Sequence, residues 1–373
     1  MTTKVKSDRL FLLATILLIV SGFFVFMSAS LGLVAREGAN FATVALKQAG
    51  IAVIGTIIMI GTSNINFRKY RTFAPLIFIF SLGLTALVFV PHIGFAHGGA
   101  ARWITFGSYT FQPAELLKIA SVILLAALFS KHKDRLALSA KSLIPFSLIT
   151  LSVAALLLKQ PDNGTFMVIF LALLAIYIAA GARFSHIVII TFCCVLAIAG
   201  LAFFRPYVAA RFTTFLHPTS DSQGAGYQVQ QALIAVGSGG ITGRGFGQSI
   251  QKFNFLPEPI GDSIFAVAAE EFGLIGSFSI IIIFVFFALR GFKIAAHSND
   301  VFGRLLAVGI ITLITAQALI NIGAIIGVMP LTGIPLSFVS HGGTALMFTL
   351  AEAGIILNIS KNSVRQKEKV SLE

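Results

Sequence analysis

Charged residues are scarce in this chain, and several stand where charge is costly. Asp262 lies where a long polar segment meets a long apolar run. A carboxylate there is partly desolvated, so its proton affinity rises and it can accept a proton from an attacking hydroxyl. The same position suits a helix N-cap, because Asp accepts from first-turn amides and complements the helix dipole. The sequence leaves both readings open. Glu258 lies just upstream, and Glu270 and Glu271 follow inside the apolar run, where a charge is either functional or paired. Lys252 and Arg244 bring positive charge to the same stretch.

A second group surrounds Gln112-Pro113-Ala114-Glu115-Leu116-Leu117-Lys118. Proline opens a helix well, and residues three apart share a helix face, so Glu115 and Lys118 can pair. That pair either neutralises two intramembrane charges or lets Lys118 hold a phosphate while Glu115 orients it. Arg102, followed by Trp103, suits a membrane–water interface. Arg211 is a further candidate anion ligand. His341, before Gly342-Gly343, reads first as a polar packing residue.

Other chemistries are absent from the sequence. The glycine run Gly237–Gly247 lacks the Lys-Ser/Thr end of a P-loop and follows no strand. It is expected as a mobile turn whose amides reach a pyrophosphate. No His or Cys spacing forms a metal motif, and no Ser-His-Asp set can be assembled. No dedicated cage of carboxylates for a divalent cation such as Mg²⁺ is visible, so the cofactor stays open. Cys193 and Cys194 stand together in an apolar run and read as packing residues.

The elements that must position these groups are membrane helices. Of 373 residues, 57% are hydrophobic and 11% charged, against about 25% charged in a soluble domain. The apolar runs reach bilayer length, and helices alone satisfy the backbone of such runs. The expected fold class is an all-α integral membrane protein, one polytopic domain over residues 1–373, with about ten transmembrane helices. They fall near Leu10–Ser30, Val44–Thr62, Phe73–Val90, Ala114–Ser130, Leu143–Leu158, Thr165–Gly181, Ser185–Phe204, Ser263–Leu289, Leu305–Val328 and His341–Ile359. The first is longer than a signal-peptide core and is read as a retained span.

The net charge of +13 is read as positive-inside bias, with no pattern of bases and aromatics that implies nucleic acid. Two thirds of the 27 Lys and Arg fall in one set of segments. These hold Lys4, Lys6 and Arg9, then Arg68, Lys69 and Arg71, then Lys131, Lys133, Arg135 and Lys141, then Arg183, then Arg290, Lys293 and Arg304, and finally Lys361, Arg365, Lys367 and Lys369. Both termini are therefore expected in the cytoplasm. The opposite side carries the loops His92–Pro113, Arg205–Asp262 and Met329–Ser340, and chemistry is expected there. The largest of them, 205–262, joins the seventh and eighth spans.

Four blocks, in this order, carry a family resemblance: GAARWITFGSYTFQPAELLK (Gly99–Lys118), QPDNGT (Gln160–Thr165), the stretch Gly226–Gly273, and PLTGIPLSFVSHGG (Pro330–Gly343). With the span pattern, they make nearly the whole chain resemble the FtsW/RodA family, also called SEDS proteins. Gln248-Ser249, Gln251-Lys252 and Leu256-Pro257-Glu258-Pro259 look more like the division type, FtsW, than the elongation type, RodA.

The resemblance implies an inverting peptidoglycan glycosyltransferase that polymerises lipid II, a disaccharide-pentapeptide on undecaprenyl pyrophosphate, at the outer face of the bacterial cytoplasmic membrane. The family's essential carboxylate falls on Asp262 and its paired charges on Glu115 and Lys118. Arg102, Arg211, Lys252 and Glu258 complete the expected substrate-binding set, with Glu258 as the reserve base. A class B penicillin-binding protein transpeptidase and other division proteins are the implied partners, at the septum. The rival readings are a lipid II flippase, whose pathway buried charges would line, and a non-catalytic division scaffold. The chain departs from the usual pattern at Gly261-Asp262-Ser263, where Thr-Asp-Phe is common, and at Ser340-His341, where Ser-Tyr is common. It also has Asn163 in place of Leu and Thr110 in place of a basic residue.

Overall fold

The structure is a computed structural model that describes residues 7–38, 40–97, 100–107, 109–131, 142–218 and 224–370. Among the loop charges named above, Lys4, Lys6, Lys133, Arg135 and Lys141 lie outside the described residues. The protein is a multi-pass membrane protein. Eight helices are long and apolar enough to cross a bilayer: α1 (Arg9–Glu37), α2 (Phe41–Asn64), α3 (Arg68–Leu87), α4 (Pro113–Lys131), α7 (Phe184–Phe204), α10 (Ile264–Ala296), α11 (Val301–Ile325) and α12 (Gly343–Val370). Two shorter apolar helices, α5 (Leu143–Leu157) and α6 (Asn163–Ala179), occupy the two remaining expected spans.

The helices differ in how far they are enclosed. α4 and α11 are almost wholly buried and form the centre, with α12 beside them. Small residues allow the approach. A Cβ on Gly309 of α11 would come within 2.5 Å of Val122 of α4, and one on Gly354 of α12 within 2.3 Å of the Met59 carbonyl of α2. Without a hydrophobic force between helices in lipid, such close backbone packing is what holds a bundle together. α7 is nearly bare, with only His186 and Ile190 buried. At the end of the bundle away from the long loops, Arg290 holds Asp8 at 2.5 Å and Arg68 holds Asp300 at 2.9 Å.

The long loops are more ordered than their composition suggests. The segment after α3 contains a three-stranded antiparallel sheet, β1 (Gly94–His97), β2 (Ala100–Phe106) and β3 (Tyr109–Phe111). Phe106 pairs with Tyr109 across a turn begun by Gly107, whose φ is +60°. The segment 205–262 contains two helices, α8 (Pro206–Leu216) and α9 (Ala225–Ser238). α8 starts with proline at its first turn and is amphipathic, with Tyr207, Phe212 and Leu216 exposed.

α10 is broken at Gly273, which has φ +64° and ψ −160°. The break frees backbone groups that the preceding loop satisfies. Arg244 and Gly245 amides donate to the Glu270 and Glu271 carbonyls, while Leu274 and Ile275 amides donate to Gly240 and Ile241. The two backbones touch, and a Cβ on Gly243 would lie 2.1 Å from the Glu271 oxygen. The glycine run is therefore a backbone splice into a broken helix. The amides of Arg244 and Gly245 that a pyrophosphate-binding turn would offer are already used.

Candidate functional site

Asp262 stands at the loop-rich end of the bundle, and its surroundings overturn the capping reading. α10 begins one residue later than a cap at Asp262 would need, with Ser263 at the N-cap position and no side-chain cap bond. The Asp262 carboxylate instead accepts from the side chain of Gln228 on α9, at 3.1 Å, and from the Ser263 hydroxyl at 3.3 Å. Its backbone is pinned separately. Asn321 of α11 donates to the Asp262 carbonyl (2.7 Å) and to Ile334 O (2.9 Å), and Ser340 donates to Gly261 O (2.6 Å). Burial pushes the Asp262 pKa up to about 6, the Glu258 charge adds to the rise, and the Gln228 and Ser263 bonds oppose it. A carboxylate so placed is a better proton acceptor than an exposed one.

Cationic groups share this space. Gly333, with φ +69°, lies between α8 and the end of the 205–262 loop. A Cβ on it would be 3.9 Å from Arg211 Nη2 and 3.9 Å from Asp262 Oδ2. Burial and the nearby Arg102 disfavour the Arg211 charge, while Tyr207, Asp162 and Asp262 support it. Arg211 also stacks over Tyr207, 4.5 Å from the ring centroid. Arg102 reaches from β2 to the Pro161 carbonyl at 2.6 Å and leaves its buried Nε without a partner. Asp162 is 1% exposed, caps α6 through Thr165 and leaves Oδ2 unpartnered. The turn bearing Asp162 is drawn in by Gly164, where a Cβ would meet Ile334 at 2.6 Å. Two guanidinium groups and two carboxylates thus converge from four segments. Unpaired buried polar atoms among them are costly without a ligand or water.

Glu258 lies on the other flank. Its backbone, at φ +49°, turns the chain so that its carbonyl accepts from Gly261 and Ser263, and its carboxylate folds back over Gly261.

Lys252, expected among the anion ligands, is a correction. Its ammonium is fully enclosed, 2.6 Å from Glu271 and 2.9 Å from Ser28 of α1. A cation sealed by two partners cannot meet a lipid headgroup. Glu270 accepts from Ser249 Oγ and the amides of Ile250 and Gln251 and pairs with Arg244 at 3.3 Å. The carboxylates at 270 and 271 therefore anchor the loop that ends in Asp262.

Glu115 and Lys118 pair as the spacing predicts, at 2.8 Å, with both side chains buried. Lys118 also donates to Gln317 of α11 at 2.6 Å, and Gln317 donates to Pro335 O at 2.9 Å. Pro335 adjoins Ile334, which Asn321 ties to Asp262, so a hydrogen-bonded chain connects the pair to the site. Glu352 of α12, 3% exposed, interacts with both charges.

Sequence reasoning missed Gln228, Asp162, Gly333, Asn321 and Glu352 as parts of this arrangement. The signals were present for three of them: Asp162 precedes a helix start, Asn321 is a polar residue inside an apolar run, and Glu352 is a charge inside the last expected span. Among the described residues no three of His, Cys, Asp and Glu gather as metal ligands would.

Comparison with known proteins gives the family. The family model described as cell cycle protein, covering FtsW, RodA and SpoVE, matches residues 8–365. The chain belongs to the FtsW/RodA/SpoVE family. It is 36% identical to stage V sporulation protein E of Bacillus subtilis over 364 residues, covering 97% of this chain and 100% of that one. It is 37% identical to the probable peptidoglycan glycosyltransferase FtsW of Geobacter metallireducens over 316 residues, 84% of each. Its fold matches that of Thermus thermophilus rod shape determining protein RodA, with TM-score 0.71, 24% identity and coverage of 95% and 97%. It also matches a chain of a solved peptidoglycan synthase complex that couples polymerization and crosslinking, with TM-score 0.82, 24% identity and coverage of 96% and 98%.

Proposed function

We propose that this membrane protein is a peptidoglycan glycosyltransferase that polymerises lipid II at the outer face of the bacterial cytoplasmic membrane. The observation that carries the reading is the Asp262 carboxylate, raised in basicity and separated from Arg211 by a residue without a side chain. The 4-hydroxyl of the incoming lipid II attacks the anomeric carbon of the growing strand. The new C–O bond forms as the bond from that carbon to the undecaprenyl pyrophosphate oxygen breaks, with inversion. Asp262 takes the hydroxyl proton. The departing pyrophosphate gathers negative charge, which Arg211 and Arg102 stabilise. The Asp162 charge supports that of Arg211.

Glu258 sits beside the base and raises its proton affinity. Glu115 and Lys118 act from within the bundle, holding Pro335 and hence the 330–340 loop through Gln317. The division role rests on the relatives named FtsW, and with it a septal location. The fold shared with a chain of a peptidoglycan synthase complex supports a class B penicillin-binding protein as partner, one that crosslinks what this chain polymerises.

The test is the purified full-length chain with lipid II in detergent. Glycan polymer supports the reading. Transbilayer movement of lipid II in proteoliposomes without polymer supports the flippase reading instead. Neither activity, with and without the transpeptidase, leaves a scaffold.

A further inference from the structure

The interior of α11 carries two buried amides, Gln317 and Asn321, placed four residues apart and so on one face of the helix. Polar side chains inside a span are kept for a partner. On the same helix the hydroxyls of Thr312 and Thr315 bond back to carbonyls one turn earlier. The two amides instead reach out of the helix. Gln317 donates to Pro335 O at 2.9 Å, and Asn321 donates to Ile334 O at 2.9 Å and to Asp262 O at 2.7 Å.

Both donors of the Asn321 amide are therefore used on two different loops. One planar NH2 group bonded to both carbonyls fixes the spacing between residues 262 and 334. Residue 334 follows Gly333, whose missing Cβ leaves the gap that Arg211 Nη2 and Asp262 Oδ2 face, each 3.9 Å from the place that atom would take. Asn321 thus holds the backbone on both sides of this gap. The rest of the turn is held in the same manner. The carbonyls of Ile260, Gly261 and Asp262 accept in order from the His341 amide at 2.7 Å, the Ser340 hydroxyl at 2.6 Å and Asn321. Three consecutive carbonyls, each with its own donor, fix the turn that carries Asp262. The need of stray carbonyls for donors does not by itself account for an asparagine here. Its Oδ1 is buried and without a partner among the described residues, which opposes stability.

We infer that Asn321 is a positioning residue for the glycosyl transfer, setting the separation of the Asp262 carboxylate from the Gly333 side of the gap. This rests on the reading of Asp262 as the base. A base must stand within hydrogen-bond reach of the hydroxyl it deprotonates, and an error of about 1 Å costs on the order of 10²-fold in rate. Asn321 acts through the backbone of residues 262 and 334.

The experiment measures lipid II polymerisation by the full-length protein over a range of lipid II concentrations, with thermal melting on the same preparations. The proteins are the wild type, Asn321→Leu, Asn321→Gln and Asp262→Asn. Asn321→Leu has nearly the same shape and no donors. Asn321→Gln keeps both donors on an arm one methylene longer, so it can satisfy the two carbonyls but holds them at a changed spacing. The rate at saturating lipid II should fall by about 10–100-fold in both Asn321 variants, with KM within about twofold of the wild type. Asn321→Gln should melt near the wild-type temperature. If Asn321→Leu does not fold, Asn321→Gln decides alone. An amide that serves only the fold predicts that Asn321→Gln recovers rate together with stability, and that result overturns the inference. A raised KM at an unchanged saturating rate overturns it too, as does loss of folding in both variants. Polymerisation retained in Asp262→Asn is a separate failure, which removes the base reading. An inactive Asp262→Asn beside fully active Asn321 variants removes this inference alone.

Discussion

Arg211 Nη2 and Asp262 Oδ2 each stand 3.9 Å from the point where a side chain on Gly333 would begin. A guanidinium and a carboxylate face one gap, and the gap exists because residue 333 has no Cβ. Its φ of +69° also belongs to the region that glycine tolerates best. Gly333→Ala puts a methyl group at van der Waals distance from both charges and strains the backbone by about 1–2 kcal/mol. The expected result is a protein that still inserts and purifies, with polymerisation reduced at least about tenfold, roughly 1.4 kcal/mol of barrier. Activity and thermal stability measured on one preparation check this. Full activity would mean that the substrate does not pass between Arg211 and Asp262.

The bundle centre makes a separate prediction. Lys118→Met strands the Glu115 carboxylate, which is 2% exposed, and breaking a buried pair costs about 3–5 kcal/mol. The single variant should lose thermal stability and yield. Adding Glu115→Gln removes the stranded charge, and stability should largely return. Activity should return with it if the pair acts by holding the 330–340 loop. A double variant with wild-type melting and no polymerisation would give Lys118 a direct contact with phosphate.

Much of this architecture can be read from the sequence, because a bilayer leaves little choice. Apolar runs such as Leu305–Val328 must be helices, and the expected spans correspond to eight long and two shorter helices. The Glu115–Lys118 pair follows from spacing alone. What the sequence hides are contacts between distant segments. Gly107 between two alternating runs was a hairpin signal inside what reads as an open loop. The Gly237–Gly247 run looked like a ligand loop because glycine serves close backbone approach to any partner, and here the partner is the broken α10. Lys252 looked available because nothing local shows that Glu271 and Ser28 close over it. Gln228 reaches Asp262 from 34 residues away, a distance that no motif spans.

The orientation of the chain can be checked directly. Thr110 on β3 and Asn299 before α11 are both exposed, at opposite ends of the bundle by the charge pattern. With Cys193 and Cys194 replaced by alanine, Thr110→Cys should react with a membrane-impermeant maleimide in intact cells. Asn299→Cys should react only after lysis. The reverse pattern would put the Asp262 end in the cytoplasm, where lipid II polymerisation into the wall could not occur.

The last prediction separates the chemistry of Asp262 from its effect on folding. The folded protein holds this carboxyl at a pKa of about 6, above its ordinary value of 3.8, chiefly because of burial. A raised carboxyl pKa means that the folded state binds the proton more tightly than the unfolded state does. Above about pH 6 the folded protein therefore carries a cost that is absent below the unfolded pKa, and the cost grows as pH rises between the two. Two pKa units correspond to about 3 kcal/mol at most, less where water reaches the carboxylate. Asp262→Asn keeps the size and the polar contact with Gln228 while removing the charge. Since Asp262 caps no helix, no capping loss opposes the gain. The variant should melt at or above the wild-type temperature at pH 7.5, and the difference should shrink toward pH 4. Its polymerisation rate should fall by about 10²–10⁴-fold, the usual worth of a positioned base. Higher stability with activity lost identifies a group kept for chemistry at a cost in folding. Lower stability at pH 7.5 would show that the charge serves the fold, through Arg211, and that the base must be sought elsewhere, first at Glu258.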